Sequence, residues 1–343
     1  MGSKTISYRI LETGDLDPVV ELDRKSGGTS RHGFISKRLA CQERHPDAFI
    51  SLAALIDGAL AGFMFCHLIE GEFGGTERMA VLDAIGVDPD YQGHGVGHQM
   101  LDHLIAEVRN RGGHELRTQA RWNQRGLIDF FSSTGFSLAP RLVLECGPGT
   151  RIDTLHATAD LDEPQSESSA MNRGLQDYAI EIDFSDSSGD DFEALSRDRI
   201  PLRSLQAEDM DAVLRIDRKI TGQDRSEYFR RKFAEALEES GVRISLVAEL
   251  DDQVVGFIMA RVDYGEFGQT DTVAVFDNIA IAPSARGHHV GPALMEQLLV
   301  NLRTLRVDTA RTEVDWNHFE LNRFLDRCGF CPAEQLALSR RID

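Results

Sequence analysis

Two short loops carry the residues of this sequence best suited to chemistry on an anionic ligand. Residues 91–97 read YQGHGVG after the apolar run LDAIGVDP, and residues 285–291 read ARGHHVG after FDNIAIAP. Glycine lets a ligand approach the backbone closely, and the free amides at the start of a helix attract phosphate. A strand, such a loop and then a helix predict a phosphate site. A glycine-rich turn that only caps the helix explains the same pattern.

The glycine spacing excludes two common nucleotide sites. The first loop reads G-x-G-x-G, whereas a dinucleotide-binding loop reads G-x-G-x-x-G inside a βαβ unit, and no such unit opens the chain. The motif G-x-x-x-x-G-K-[ST] of nucleoside triphosphate sites is absent. Four loop histidines have a spacing set by the loops themselves, so we expect no metal site from His94, His98, His288 and His289.

The second loop departs from the first at two positions. His289 stands where the first loop has Gly95, and Pro292 follows where a backbone amide would help to bind an anion. Arg286 adds a positive charge that offsets part of this loss. We therefore expect the first loop to be the better anion site and the second to be weakened or structural.

Acidic residues at matching places in the two halves are the candidates for proton transfer. Asp83 and Asp277 lie in otherwise apolar strands, and strand alternation predicts that Asp83 shares a face with Ile85. Glu72 and Glu266, in two copies of GEFG, are second candidates. A structural role stays open for both pairs, because an aspartate can tie down a neighbouring loop and a glutamate can lie in a tight turn.

These residues recur because the chain is a duplication. Sliding the sequence by 194 residues aligns the two halves from about residue 6 to residue 144. A period this long indicates repeated domains, which we place at 1–146 and 199–343. We expect the matched tryptophans to pack in the cores. Matching positions include GEFG at 71–74 and 265–268, Trp122-Asn123 and Trp316-Asn317, and Gly135-Phe136 and Gly329-Phe330.

Residues 147–198 have a different composition, rich in acidic residues and serine, which is typical of a linker. Alternating apolar residues at 178–184 predict one strand within it. The net charge of −19 disfavours nucleic-acid binding and weakly favours cationic partners. Five scattered cysteines argue against a disulfide framework. Without a long apolar run or a signal segment, we expect no membrane association and a cytoplasmic location.

The elements that position these residues follow one order in each half. Two helices precede a strand hairpin, a third strand leads into the glycine loop and a long helix, and a strand, a short helix and closing strands complete the unit. This order predicts an α/β (α+β) domain with a mixed, mostly antiparallel sheet flanked by helices. The long helix has an apolar stripe, which consists of Leu101, Leu104, Ile105 and Val108 in the first copy and of Leu294, Leu298, Leu302 and Leu305 in the second.

The ordered set resembles the GNAT N-acyltransferase superfamily. In that family a strand ends in V-x-P, and the motif [RQ]-x-x-G-x-[GA], a helix and a later GF follow. The first copy contains Val87-x-Pro89, Gln92-x-x-Gly95-x-Gly97 and Gly135-Phe136. The resemblance covers about residues 6–146 and 199–343, and it implies two tandem GNAT domains.

The resemblance implies that acetyl-CoA is the cosubstrate. The loop amides would bind its pyrophosphate, and the end of the preceding strand would bind the pantetheine arm as an added strand. The residues so assigned are Ile85, Gly86, Val87, Gln92, Gly93, His94, Gly95, Val96, Gly97 and His98, with Ile281, Arg286, Gly287, His288 and Gly291 in the second copy.

The implied activity is direct acetyl transfer to a primary amine, with no covalent enzyme intermediate. The family often places a tyrosine as general acid four residues before the GF glycine, but Phe131 and Leu325 stand there and neither can donate a proton. The segment Asp23-Arg24-Lys25 ends the first helix, which in the family borders the acceptor groove, although a helix-end salt bridge explains it equally.

The sequence leaves the acceptor open. A protein lysine or N-terminus is slightly favoured by the acidic charge, and a small-molecule amine is the alternative. A non-catalytic acyl-CoA-binding or regulatory module also fits the missing tyrosine. Because many members of the superfamily pair as dimers, the tandem copy predicts either a monomer with an internal pseudo-dimer or a homodimer.

Overall fold

The computed structural model describes residues 6–28, 30–70, 72–74, 77–147, 200–239, 242–264, 267 and 272–342. The strand predicted at 178–184 and the candidate Glu266 lie outside these residues. The two halves follow the same order of elements. No helix in the described ranges combines the length and the apolar character that a membrane span requires.

The first half contains seven strands and four α-helices among its described residues. The strands are β1 (Ile6–Ile10), β2 (Phe49–Ile56), β3 (Ala59–Glu70), β4 (Arg78–Val87), β5 (Glu115–Arg121), β6 (Ser137–Leu138) and β7 (Arg141–Cys146). The helices are α1 (Leu16–Gly27), α2 (His32–Arg44), α3 (Val96–Asn110) and α4 (Arg125–Ser133).

The second half repeats this order over its own described residues. Its strands are β8 (Leu202–Ser204), β9 (Leu246–Leu250), β10 (Gln253–Tyr264), β11 (Thr272–Ile281), β12 (Thr309–Asp315), β13 (Cys331–Pro332) and β14 (Gln335–Arg341). Its helices are α5 (Met210–Thr221), α6 (Ser226–Ala234), α7 (Val290–Thr304) and α8 (Phe319–Arg327).

The two halves exchange their last strands. One sheet has the order β1-β2-β3-β4-β5-β14-β6 and the other has β13-β7-β12-β11-β10-β9-β8. Strand β14 of the second half thus pairs with β5 and β6 of the first, and β7 pairs with β12 and β13. Among the strands of the described ranges, only the pairs β4–β5 and β11–β12 are parallel. Each sheet, predicted as mixed and mostly antiparallel, is completed by a strand from the other half.

The parallel strands β4 and β5 pair over a short stretch and then part. Val81 is the last residue of β4 that pairs with β5. Just beyond it, the hydroxyl of Thr118 donates a 2.9 Å hydrogen bond to the Leu82 carbonyl. The second half repeats this bond from Thr312 to Phe276 at 2.8 Å. Backbone pairing between the two parallel strands therefore ends at the same point in each sheet.

A β-bulge at Asp83 reverses the alternation of β4. The register against β3 skips this residue, and the register between β10 and β11 skips Asp277 in the same way. As a result Leu82 and Ile85 pack in one core with α3, whereas Asp83 pairs with Arg38 of α2 on the other face. The predicted shared face of Asp83 and Ile85 is wrong, because one extra residue shifts every later side chain to the opposite side.

The long helices bury the predicted apolar stripes, with one exception at Leu305, which follows the end of α7 and is 42% exposed. The buried stripe residues are Leu101, Leu104, Ile105 and Val108, and Leu294, Leu298 and Leu302.

The prediction that the tryptophans pack in the cores is wrong. Trp122 is 62% exposed and Trp316 is 49% exposed, because each lies just past the end of a strand.

Candidate active site

The first glycine loop has the conformation that an anion site requires. Helix α3 begins at Val96, and Gly95 before it is left-handed with φ 79°, as is Gly93 with φ 75°. The side-chain amide of Gln92 donates a 3.0 Å hydrogen bond to the Val87 carbonyl and anchors the loop to the end of β4. Since the first amides of a helix have no acceptor within it, they are available to a ligand at this loop.

Two predicted ligand-binding glycines also allow close packing. A Cβ on Gly86 would lie 2.3 Å from the ring of Phe63, and one on Gly97 would lie 3.1 Å from the ring of Phe130. A Cβ on Gly95 would meet only the side chain of Gln99, at 3.8 Å, so that position opens on free space. Gly86 and Gly97 therefore shape the walls beside the loop.

An open cleft of about 750 Å³ extends from this loop to the point where β4 and β5 meet. This volume lies within the range of ligand pockets, about 300–1,000 Å³. The cleft lining contains nine of the ten residues predicted in the first copy, all except His94, whose Nδ1 lies 2.9 Å from the Gln92 carbonyl. Lining residues include Ile85, Gly86, Val87, Gln92, Gly93, Gly95, Val96, Gly97 and His98.

The corresponding cleft of the second half is smaller, about 330 Å³. Ile281 and Arg286 line it, whereas three other residues predicted there do not: Gly287, His288 and Gly291. His289 keeps the left-handed conformation of its glycine counterpart, with φ 58°, at a cost of about 1–2 kcal/mol for a residue with a Cβ. The backbone path of the loop is thus retained, but Pro292 in the first turn of α7 supplies no amide.

Asp83 is buried and paired with Arg38 and His67. Its Oδ2 lies 3.0 Å from Nε of Arg38 and 2.9 Å from Nδ1 of His67. This arrangement ties β4 to α2 and β3, which is the structural role that the sequence left open. Its Oδ1 has no hydrogen-bond partner among the described residues, and Asp83 belongs to the lining of the first cleft.

Asp277 occupies the same position in the second half with equivalent partners. Lys232 forms an ion pair with it, and Nη1 of Arg261 lies 3.1 Å from its Oδ2. Burial lowers the pKa of Lys232, but Asp277 and Glu235 raise it to a net value well above the usual one. Asn278 donates a 3.1 Å hydrogen bond to Oδ1 of Asp277. Asp277 lies outside the linings of both clefts.

Glu72 lies between the two halves rather than in the first cleft. It lines a small cavity of about 80 Å³ together with His67 and Arg261. Burial raises the pKa of Glu72, and Lys232 lowers it by a smaller amount, so the net shift is upward. This position separates Glu72 from the glycine loop.

The turn that contains Glu72 also reaches the other half. Phe73, one residue later, packs edge-on against Phe276 at 6.3 Å between ring centroids and lines the second cleft. Phe267 is its repeat mate and lines the first cleft. The two halves thus exchange aromatic side chains as well as strands.

The arginine partners of two further buried aspartates were not predicted from the sequence. Asp23 pairs with Arg31, and both line the first cleft. In the second half Nη1 of Arg225 lies 2.6 Å from Oδ1 of Asp217. The helix-end salt bridge considered for Asp23 is therefore present. The sequence feature that could have indicated these two ion pairs is the spacing of eight residues from aspartate to arginine, which is the same in both copies.

Phe131 and Leu325, the residues at the position of the family tyrosine, are both buried in the cores. Phe131 also lines the first cleft. Neither side chain has a proton to donate. In the part of the chain that the structure describes, no group of three or more histidine, cysteine or acidic side chains is placed to hold a metal ion.

The model of the acetyltransferase (GNAT) family matches residues 19–136 and 210–330. The [ribosomal protein bS18]-alanine N-acetyltransferase of Escherichia coli is 28% identical over 129 residues, which are 38% of this chain and 79% of that protein. An N-alpha-acetyltransferase of Saccharolobus solfataricus is 34% identical over 98 residues, 28% of this chain and 50% of that protein.

Solved structures share the fold of the whole chain. A tandem GNAT protein from the clavulanic acid biosynthesis pathway has a TM-score of 0.61 at 14% identity, and the match covers 99% of both chains. A GCN5-related N-acetyltransferase from Sphaerobacter thermophilus has a TM-score of 0.55 at 12% identity, and the match covers 98% of this chain and 96% of that one. At these identities the likeness concerns the fold alone.

Proposed function

Because the chain belongs to the GNAT acetyltransferase family and is an N-acetyltransferase, we propose that the first cleft binds acetyl-CoA and that a primary amine attacks it there directly. One observation carries this assignment to the first half. The first cleft is about 750 Å³ and begins at a loop with two left-handed glycines, whereas the second is about 330 Å³ and has His289 and Pro292 in its loop.

The residues of the first cleft suit the two ends of the ligand. The amides that begin α3 at Val96 suit the pyrophosphate, since they have no helical acceptors and the helix dipole favours an anion. Among the described residues, β4 pairs with β5 only at Ala80 and Val81, so its edge beyond that point accepts an extended pantetheine arm as an added strand.

The transfer needs three events at the thioester. The amine nitrogen, after losing a proton, attacks the carbonyl carbon and forms the C–N bond. The C–S bond then breaks, and the sulfur leaves as a thiolate that takes up a proton to give CoA. We assign polarisation of the carbonyl oxygen to backbone amides of β4 near the bulge at Asp83.

We assign the base role to Asp83. Its Oδ1 has no hydrogen-bond partner among the described residues, the residue belongs to the cleft lining, and its Oδ2 is held by Arg38 and His67. Its partners therefore fix the carboxylate and leave one oxygen for the proton of the amine. Since Phe131 cannot act as an acid, we assign protonation of the thiolate to water; a thiol has an ordinary pKa of about 8.5.

We propose a protein N-terminus as the acceptor. Support comes from the relatives, since the Escherichia coli protein is named for an alanine of a ribosomal protein and the archaeal one for N-alpha-acetylation. The net charge of −19 is consistent with a cationic acceptor, but it suits a lysine or a polyamine as well.

A set of matched acceptors tests this proposal. One peptide has a free N-terminal alanine and no lysine, the second is the same peptide with a blocked N-terminus and one lysine, and the third acceptor is a polyamine. Release of the CoA thiol and the mass of the product are measured for each. We expect transfer to the first peptide only. Transfer only to the polyamine would overturn the acceptor class, and no transfer to a broad amine panel would favour a non-catalytic acyl-CoA-binding module.

A further inference from the structure

A side chain from the second half lines the first cleft. Phe267 lines this cleft together with Leu82, Thr118 and Gln119, which lie where β4 and β5 begin to part. It also lines the small cavity between the halves, beside Val81. Its ring thus lies at the boundary between the cleft and the interface.

Phe267 and Phe73, which each line the cleft of the opposite half, have an uncommon backbone conformation. Phe267 has φ 50° and Phe73 has φ 45°, in the left-handed region where a residue with a Cβ costs about 1–2 kcal/mol. Such strain persists where the surrounding structure over-determines the conformation, often at ligand sites. Because both copies have this strained conformation, it indicates that the placement of Phe73 and Phe267 is important for the clefts that their side chains line.

The direction of the ligand places its acyl group near Phe267. The glycine loop follows β4 at Val87, and Leu82 lies five residues further back along the strand, a rise of about 16 Å. With the phosphates at the loop, an extended arm reaches the strand junction with its acyl end. The bulge at Asp83, next to the assigned base oxygen, lies at that end.

We propose that Phe267 forms the floor of the acyl pocket in the first cleft and restricts the enzyme to short acyl groups. This inference rests on the proposed acetyl-CoA site in that cleft. A longer acyl chain would have to displace the aromatic ring, which lines both the cleft and the small cavity between the halves. Acyl selection in the first half is therefore a property of a residue from the second half.

The expected effect follows from the burial of methylene groups. Each buried methylene contributes about 0.8 kcal/mol, which is about fourfold in affinity. Hexanoyl-CoA carries four more carbons than acetyl-CoA, and the space freed by Phe267→Ala accommodates part of them. We expect the ratio of hexanoyl-CoA affinity to acetyl-CoA affinity to rise by about tenfold or more in this variant, and by less in Phe267→Leu.

Calorimetric titrations of the full chain with CoA, acetyl-CoA and hexanoyl-CoA test the proposal. Phe73→Ala is the matched control, because it removes the same side chain at the same left-handed position from the other cleft. The affinity ratio of the wild type is expected to persist in Phe73→Ala. A purely structural role for Phe267 would weaken all three ligands together and leave the ratio unchanged.

The outcomes separate this inference from the proposed function. If none of the three ligands binds the wild type, the acetyl-CoA site itself is wrong. If CoA and acetyl-CoA bind but the ratio is the same in the wild type and in Phe267→Ala, the site stands and the pocket floor is overturned. Should Phe267→Ala fail to fold, Phe267→Leu decides, since an unchanged ratio there contradicts the proposal and a raised ratio supports it.

Discussion

The substitutions Asp83→Asn and Asp277→Asn remove equivalent buried carboxylates from the two halves. Each aspartate lies at a bulge and is paired with a cation on the second helix of its half, Arg38 or Lys232. Asparagine keeps the shape but leaves the cation without its counter-charge. We therefore expect each substitution to lower the free energy of unfolding by about 3–5 kcal/mol, as measured by urea denaturation.

The two variants should differ in catalysis. Asp83 lines the first cleft and has one oxygen without a hydrogen-bond partner among the described residues, whereas Asp277 lines neither cleft. Loss of a positioned general base lowers kcat by about 10²–10⁴-fold. We expect that loss for Asp83→Asn alone, with nearly wild-type affinity for acetyl-CoA.

The assay is release of the CoA thiol at saturating acetyl-CoA, at a temperature where both variants are folded. Rates are divided by the folded fraction from the unfolding curves. Two results would refute the reasoning. One is a similar loss of kcat in both variants, which indicates a shared structural effect. The other is wild-type kcat in Asp83→Asn, which removes this carboxylate from the chemistry.

Three further substitutions test separate parts of the structure. Glu72→Gln should raise the melting temperature at pH 8 but not at pH 4. Because burial raises the pKa of Glu72, the native state binds this proton more tightly than the unfolded state does, and the contribution of Glu72 to stability falls as the pH rises above its pKa in the unfolded state. An equal gain at both pH values would contradict this reasoning. His289→Gly relieves a left-handed histidine and should raise the free energy of unfolding by up to about 1 kcal/mol, whereas a loss would show that the imidazole has a stabilising role. Leu338→Ala, on the exchanged strand β14, should cost about 2–5 kcal/mol and accelerate amide hydrogen exchange in β5 of the first half, and faster exchange confined to the second half would argue against strand exchange in solution.

Local features of the site were predictable from the sequence because they depend on short motifs. The glycines at 93 and 95 and the apolar stripe after them predict a glycine loop and then a helix, and both are present. The left-handed conformation of the two glycines is a finding of the structure. The duplication predicted that the second half would contain the same loop. His289 shows that the backbone path survives even without the glycine.

Non-local features were not predictable from the pattern. Strands β7 and β14 occupy equivalent positions in the repeat. The local sequence therefore does not indicate whether each strand joins the sheet of its own half or that of the other half. The bulge at Asp83 adds one residue and defeats the alternation that placed it beside Ile85. The partner Arg38 lies on another element, and the crossing of Phe267 depends on how the halves pack.

Calorimetric titration of acetyl-CoA into the wild type, Gly95→Trp and His289→Trp shows which half of the chain binds acetyl-CoA. The two positions are repeat mates at the start of α3 and α7, and both are left-handed, so each substitution places the same bulky side chain at the same point of its loop. We expect one site in the wild type, which is lost in Gly95→Trp and retained in His289→Trp. Retention in Gly95→Trp with loss in His289→Trp would place the acetyl-CoA site in the second half and contradict the account.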